Sequence, residues 1–401
     1  MGFCGGGSIV NSLKTFGKKI SGIVAPKPPL VAVDIGTASI KLIALKAEKK
    51  GIPKKPHPAR GFGYAGPPEA EQNRQRIESV QYYPLNAETL PTEPGEKQNF
   101  IAEQLRDAFT SLKLKNPPIT TSISGSSVIV REAKLPALSS SELRKILPTE
   151  AEPFIPYNVA EVNLDYHIVG ETTQDNQKKY DVILVAAKQD AIEERLDIFV
   201  KSQARPIVVD VDAFALTNLS NLLSRNEGQI QTIVIANIGA IITNLVIAEG
   251  GEARVVRDVT IAGQTFTKAL QSGANINIAK AEEIKIKIGL LPENPNEEDA
   301  KALALLEAIA RELFAEIHKS IDFYLTRGTE RTIHKIYLTG GGSLLKNLAL
   351  FASNELKIPV EILNPFDLFT LPENQQALYD IGPTFSVACG LALRQWEDWK
   401  A

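Results

Sequence analysis

The chain is poor in the residues that build covalent or metal-held folds. Its 401 residues include two cysteines, Cys4 and Cys389, and four histidines. Two cysteines cannot make a disulfide framework, so a reducing compartment is expected. His57, His167, His318 and His334 lack metal-ligand spacing, and neither cysteine has a neighbouring thiol, which argues against a zinc site. No apolar run reaches the roughly 18 residues of a membrane span. The nearest stretch, Thr232–Ala248, contains Asn237, Gly239, Thr243 and Asn244 and reads as strand, turn, strand. A net charge of −3 provides no basic field for nucleic acid. Neither a G-x-S-x-G nor a G-x-x-x-x-G-K-[ST] motif is present. Gly61-Phe62-Gly63-Tyr64-Ala65-Gly66 is a literal G-x-G-x-x-G, but Pro67-Pro68 follow it where a dinucleotide fingerprint must open a helix.

What is present is an ordinary globular composition, 44% hydrophobic and 23% charged. The length suggests about two to four units. The first 30 residues contain four lysines and no acid, and Ile9, Leu13, Phe16, Ile20 and Ile23 recur at helical spacing. This predicts a short basic amphipathic helix over residues 9–23, suited to an anionic membrane surface, a partner or its own domain. A stiff Pro-rich spacer at 25–29 follows. Strands are expected at Leu30–Asp34 and Ser39–Lys46, then a Lys-, Pro- and Gly-rich excursion at 48–68 and a helix over Lys97–Leu114. Ile119–Lys134 reads as one strand, followed by helix 139–152, strands 162–169 and 180–187, and helix 190–204 with Asp190 as N-cap. That order predicts a small α+β unit. Further strands and helices run to a final helix over Thr384–Trp399. A strand, glycine turn, strand hairpin occurs at Val31–Leu45 and again at Val234–Ile247, suggesting two related halves.

Four motifs carry chemistry. Asp34 ends a buried-type strand, where a carboxylate is costly without a cation or donors. Gly36 permits a turn whose N–H groups face an anion, Thr37 and Ser39 add hydroxyls, and Lys41 can meet a phosphate. The second hairpin, around Asn237 and Gly239, repeats the geometry, so the two could clamp a polyphosphate. Gly340-Gly341-Gly342 joins a strand to a helix with bare backbone that a base or phosphate can approach. Glu282 and Lys285 share a helix face and can reach ribose hydroxyls and base.

In this order the motifs resemble those of the actin-like ATPase superfamily, from about Leu30 to Trp399. The superfamily's first phosphate motif is matched by Asp34, Gly36, Thr37 and Lys41. Its second hairpin is matched by Asn237–Thr243, its adenosine helix by Glu282 and Lys285, and its adenosine loop by Gly340–Gly342. Val209-Asp210-Val211-Asp212-Ala213-Phe214-Ala215-Leu216 resembles the first connecting segment. This string, the ending Ala388–Arg394 and the insertion at 117–205 are similar to the PilM family, FtsA-related proteins of type IV pilus and type II secretion platforms.

The resemblance implies an α/β, actin-like fold of two lobes with an inserted α+β (SHS2-type) subdomain. The expected units are residues 1–29, a first lobe at 30–116 with 206–227, the insertion at 117–205, and a second lobe at 228–401 with a helical part at about 263–325. It implies ATP and magnesium as cofactors, with Asp34 reaching the metal through water and Asp212 and Asn237 as catalytic candidates. Asn237 replaces the family's second phosphate Asp, so hydrolysis is expected to be slow or absent. It also implies partners: the N-terminal tail of a PilN-like bitopic membrane protein, for which Phe154 and Tyr157 are anchor candidates, and other platform proteins. The expected location is cytoplasmic, peripheral at the inner membrane. An FtsA-like polymerising division protein and a small-molecule kinase of the same superfamily remain as alternatives.

Overall fold

The computed structural model describes residues 30–46, 75–86, 89–174, 176–227, 231–291, 296–328 and 331–394. The expected N-terminal helix at 9–23, the Pro spacer, the excursion at 48–68 and the last residues of the final helix lie outside them.

The first lobe begins with the hairpin β1 (Val31–Ile35) and β2 (Ser39–Leu45), followed by β3 (Gln75–Pro84), helix α1 (Pro94–Ser111) and β4 (Pro118–Ile123). A small unit follows: β5 (Val128–Pro136), α2 (Ser140–Ala151), β6 (Val162–Gln174), β7 (Gln177–Lys188) and α3 (Gln189–Lys201). The chain then returns through β8 (Arg205–Val211) to α4 (Asp212–Glu227). The second lobe contains β9 (Thr232–Ile238), β10 (Thr243–Glu249), β11 (Glu252–Val259), and helices α5 (Gly263–Ala274), α6 (Ile278–Ile288) and α7 (Glu297–Leu325). It continues with β12 (Lys335–Thr339), α8 (Leu348–Leu356) and β13 (Val360–Ile362), after which β14 (Phe369–Thr370) joins the first-lobe sheet and α9 (Ser386–Ala392) follows.

The strand order in the first lobe is β14-β3-β2-β1-β4-β8, and in the second β11-β10-β9-β12-β13. β3-β2-β1 and β11-β10-β9 are antiparallel; β1-β4-β8 and β9-β12-β13 are parallel. The two halves therefore share one topology, as the repeated hairpin suggested. β1, β4 and β9 are buried almost throughout; β1 and β9 are accordingly near-continuous apolar runs, whereas β4 buries Thr120, Thr121 and Ser122. One apolar cluster joins the lobes, running from Ala32 and Ile43 through α4 and α9 to Ile235 and Val246. All of α9 is buried, and Gly390 leaves no room for a Cβ against the Ala215 carbonyl.

Three local expectations are corrected. The single strand over 119–134 is two strands in different sheets. β4 pairs with β1 and β8, whereas β5 pairs with β7 in a separate sheet ordered β5-β7-β6. The break is the Ser124-Gly125-Ser126-Ser127 turn, where Gly125 adopts φ +78°, open to glycine and costly for other residues. The final helix is a 3-10 stretch over Glu373–Phe385 that becomes α-helical only at Ser386. Asp190 lies inside the first turn of α3; Lys188 occupies the cap position.

Candidate functional site

The expected site segments share one topological position. Asp34 closes β1, Ser122 and Ser124 lie at the end of β4, Asp212 follows β8, Asn237 lies at the end of β9, and Gly340 follows β12. Ligands of open α/β sheets bind at such carboxyl ends, where strand order switches.

In the first lobe Asp34 and Lys41 are register partners, and the Lys41 ammonium donates to Asp34 Oδ2 at 3.0 Å. Both are buried, so each offsets the other's desolvation. The turn is closed by Gly36 N–H donating to the Ser39 carbonyl at 3.0 Å. Thr37 is exposed at its tip, and Ser39 is buried at its base. Asp212 faces this pair from the start of α4. Removal from water, and then the Asp34 charge, push its carboxyl up to about 6, against hydrogen bonds from Ser122 and Ser124.

In the second lobe three motifs distant in sequence converge on Gly263, the first residue of α5. Its N–H donates to the Gly239 carbonyl at 2.9 Å, and a Cβ there would lie 3.2 Å from that oxygen and 3.9 Å from Gly342 Cα. Lys285 reaches the Gly263 carbonyl at 3.4 Å, Thr267 Oγ1 at 3.0 Å and Glu282 at 2.7 Å; Thr267 also donates to Glu282 at 2.6 Å. The hairpin around Gly239, the Glu282–Lys285 face and the glycine loop therefore form one wall. Gly340, at φ +81°, abuts the hairpin so closely that a Cβ would lie 2.5 Å from Asn237 Oδ1. Gly341 has open space, with Thr384 Cγ2 at 3.7 Å as its nearest neighbour.

Asn237 is engaged in a relay. Its amide donates to Asn244 Oδ1 at 3.0 Å, and Asn244 donates to Asp258 Oδ1 at 2.9 Å. Asp258 Oδ2 accepts the Gly125 N–H at 3.1 Å, back in the first lobe. Thr243 is placed differently from the expectation. It is buried, and its hydroxyl donates to the Ile261 carbonyl at 2.7 Å, pinning β10 rather than facing a ligand. Of the two anchor candidates in the small unit, Phe154 is exposed (37%). Tyr157 packs beside Ile155 and Val162, donates from its hydroxyl to the Ser126 carbonyl at 2.9 Å, and lies under the Lys188 ammonium at 4.5 Å.

A family model described as type IV pilus assembly protein PilM matches residues 68–396. The chain belongs to this family. Among solved structures, the PilM–PilN type IV pilus biogenesis complex is similar at 24% identity and a TM-score of 0.72, over 92% of this chain and 99% of that one. EutJ, an ethanolamine utilization protein from Carboxydothermus hydrogenoformans, matches at 14% identity and TM-score 0.48, over 92% and 90%. MreB5 of Spiroplasma citri bound to ADP matches at 12% and 0.48, over 90% and 94%. The fold shared with PilM is the two-lobed actin-like α/β fold, and its small three-stranded unit is inserted between β4 and β8 of the first lobe. In this PilM-family chain Asp34 and Lys41 pair in the first lobe, and Asn237, Glu282, Lys285 and the glycine loop gather in the second. Asn244, Asp258, Gly263 and Thr267 escaped the sequence reading because each acts only through a contact with a distant segment.

Among the described residues, no helix is long and apolar enough to cross a membrane.

Proposed function

We propose that this PilM-family protein binds ATP between its lobes and, in that state, holds the N-terminal tail of a PilN-like bitopic protein in a type IV pilus platform. The observation that carries the nucleotide reading is the convergence on Gly263: a phosphate hairpin, a Glu–Lys helix face and a bare glycine loop meet within van der Waals range. The phosphates would lie between the turns at Gly36 and Gly239, and the base beside Gly341, where the glycine presents bare backbone with the Thr384 methyl as its nearest neighbour. Glu282 and Lys285 would meet the ribose and base.

Among the described residues, no group of three acidic, His or Cys side chains forms a metal site of its own. The donor set fits magnesium arriving on the phosphates and meeting Asp34 through water, a mode this ion favours. So held, the ion neutralises phosphate charge. Asp212, raised to about 6, is the carboxylate able to accept a proton from an attacking water. The Asn237 amide cannot accept one at neutral pH, and it is committed to Asn244, so turnover is slow.

The pairing in the PilM–PilN complex supports the partner class. Phe154, exposed on a Pro-flanked loop of the inserted unit, supplies an anchor for the tail. The basic segment at 9–23 adds weak contact with an anionic membrane, about 1 kcal/mol per lysine near the surface, and places the protein at the cytoplasmic face of the inner membrane. The test is a pull-down with immobilised PilN-like tail peptide, with and without magnesium-ATP. Retention that rises with ATP is expected; no retention of folded protein in either condition would refute the partner reading.

A further inference from the structure

Arg195 matches no motif, yet its guanidinium reaches the turn between β1 and β2. It lies on α3, which continues directly from β7 of the inserted sheet. Ile192, one turn earlier, packs in the cluster that contains Ile183, Val185 and Ala187 of β7. Ile198 and Phe199, one turn later, pack with Val31, Val33 and Leu105 of the first lobe. Arg195 thus lies on the inward face of the helix, where a charge is costly without an anion. Its Nη1 donates to the carbonyl of Ile35, the residue between Asp34 and Gly36, at 3.3 Å.

The carboxylates that act on Arg195 electrostatically are Asp212, Asp34 and its helix neighbour Glu194, and the first two have other partners. Asp34 holds Lys41, and Asp212 accepts from Ser122 and Ser124. Burial pushes the guanidinium pKa down, against the pull of those carboxylates, so the group gains from an added negative charge. A guanidinium has five N–H donors. Among the described residues, the Ile35 carbonyl is its protein acceptor. Its position beside the phosphate turn and its unspent donors suit a planar, multiply bonded phosphate contact.

We propose that Arg195 binds the terminal phosphate of a bound nucleoside triphosphate, so that the inserted unit, through α3, supplies the group that distinguishes triphosphate from diphosphate. This rests on the nucleotide reading above. Its test is calorimetric titration of full-length wild type, Arg195→Gln and Arg195→Lys with magnesium-ATP and magnesium-ADP, each variant first checked by thermal melting without nucleotide. Loss of a charge-assisted phosphate contact should weaken ATP binding about tenfold or more in Arg195→Gln while ADP affinity changes little. Arg195→Lys, which keeps the charge but not the fork, should fall between. If Arg195→Gln fails to fold, the Lys variant's ATP-to-ADP ratio decides alone. An unchanged ratio, or equal loss for both nucleotides, overturns the proposal and leaves the nucleotide reading standing. Wild type that binds neither nucleotide overturns both.

Discussion

Two carboxylates set the pH response at the level of single residues. Asp212 is raised to about 6, as is Asp165, the latter mainly by burial in the face of β6. In the unfolded chain an aspartate titrates near 3.9. Between about pH 4 and 6 the folded protein therefore binds more protons, and these two groups lose their stabilising effect as pH rises through that window. Asp165→Asn and Asp212→Asn should each raise the melting temperature of the nucleotide-free protein at about pH 7.5 and change it little at about pH 4. Melting curves at the two pH values test this; equal shifts at both would contradict it. Asn237 leads to a second expectation. A carboxylate there would face Asn244 Oδ1, and turning Asn244 to suit it would strand Asp258. Asn237→Asp should lower stability by about 1–3 kcal/mol and bring no gain in phosphate release, measured by denaturant melts beside a coupled assay. Faster turnover with full stability would show that the relay does not explain the amide. Asp34, Lys41 and the glycines were legible in the sequence because each belongs to a short motif of fixed spacing. Arg195 and Asp258 were not, because nothing within ten residues of either marks the contact it makes.

The ease of reading whole elements followed their periodicity. Helix α1 lies within three residues of the expected bounds, and the hairpin of β9 and β10 lies where the repeated strand, turn, strand pattern placed it. The run from Ile119 to Lys134 misled because β4 and β5 both carry β-branched residues and only a four-residue turn separates them. Ser-Gly-Ser-Ser is a breaker signal, and Gly125 was the mark of the change of sheet. The loop at Pro153–Tyr157 between α2 and β6 gives an element-scale test. Phe154 is exposed (37%), whereas a core phenylalanine would cost about 3–5 kcal/mol on truncation. Phe154→Ala should leave the melting temperature nearly unchanged and weaken binding of a PilN-like tail. A large fall in melting temperature with peptide affinity retained would assign Phe154 to the core and remove it from the surface.

Taken as a whole, the molecule is two copies of one topology clasped around α4 and α9, with an apolar cluster running through both lobes. The relay from Asn237 to Gly125 crosses between them where the inserted unit begins. The central claim is that Asp34 in one lobe and Lys285 in the other serve one ligand. Calorimetric titration with magnesium-ATP of wild type, Asp34→Ala and Lys285→Ala tests it most directly. One saturable site is expected in the wild type, weakened about tenfold or more by each substitution despite the different lobes. A folded wild type that takes up no nucleotide at about millimolar concentration, or a site that either substitution leaves intact, would contradict it.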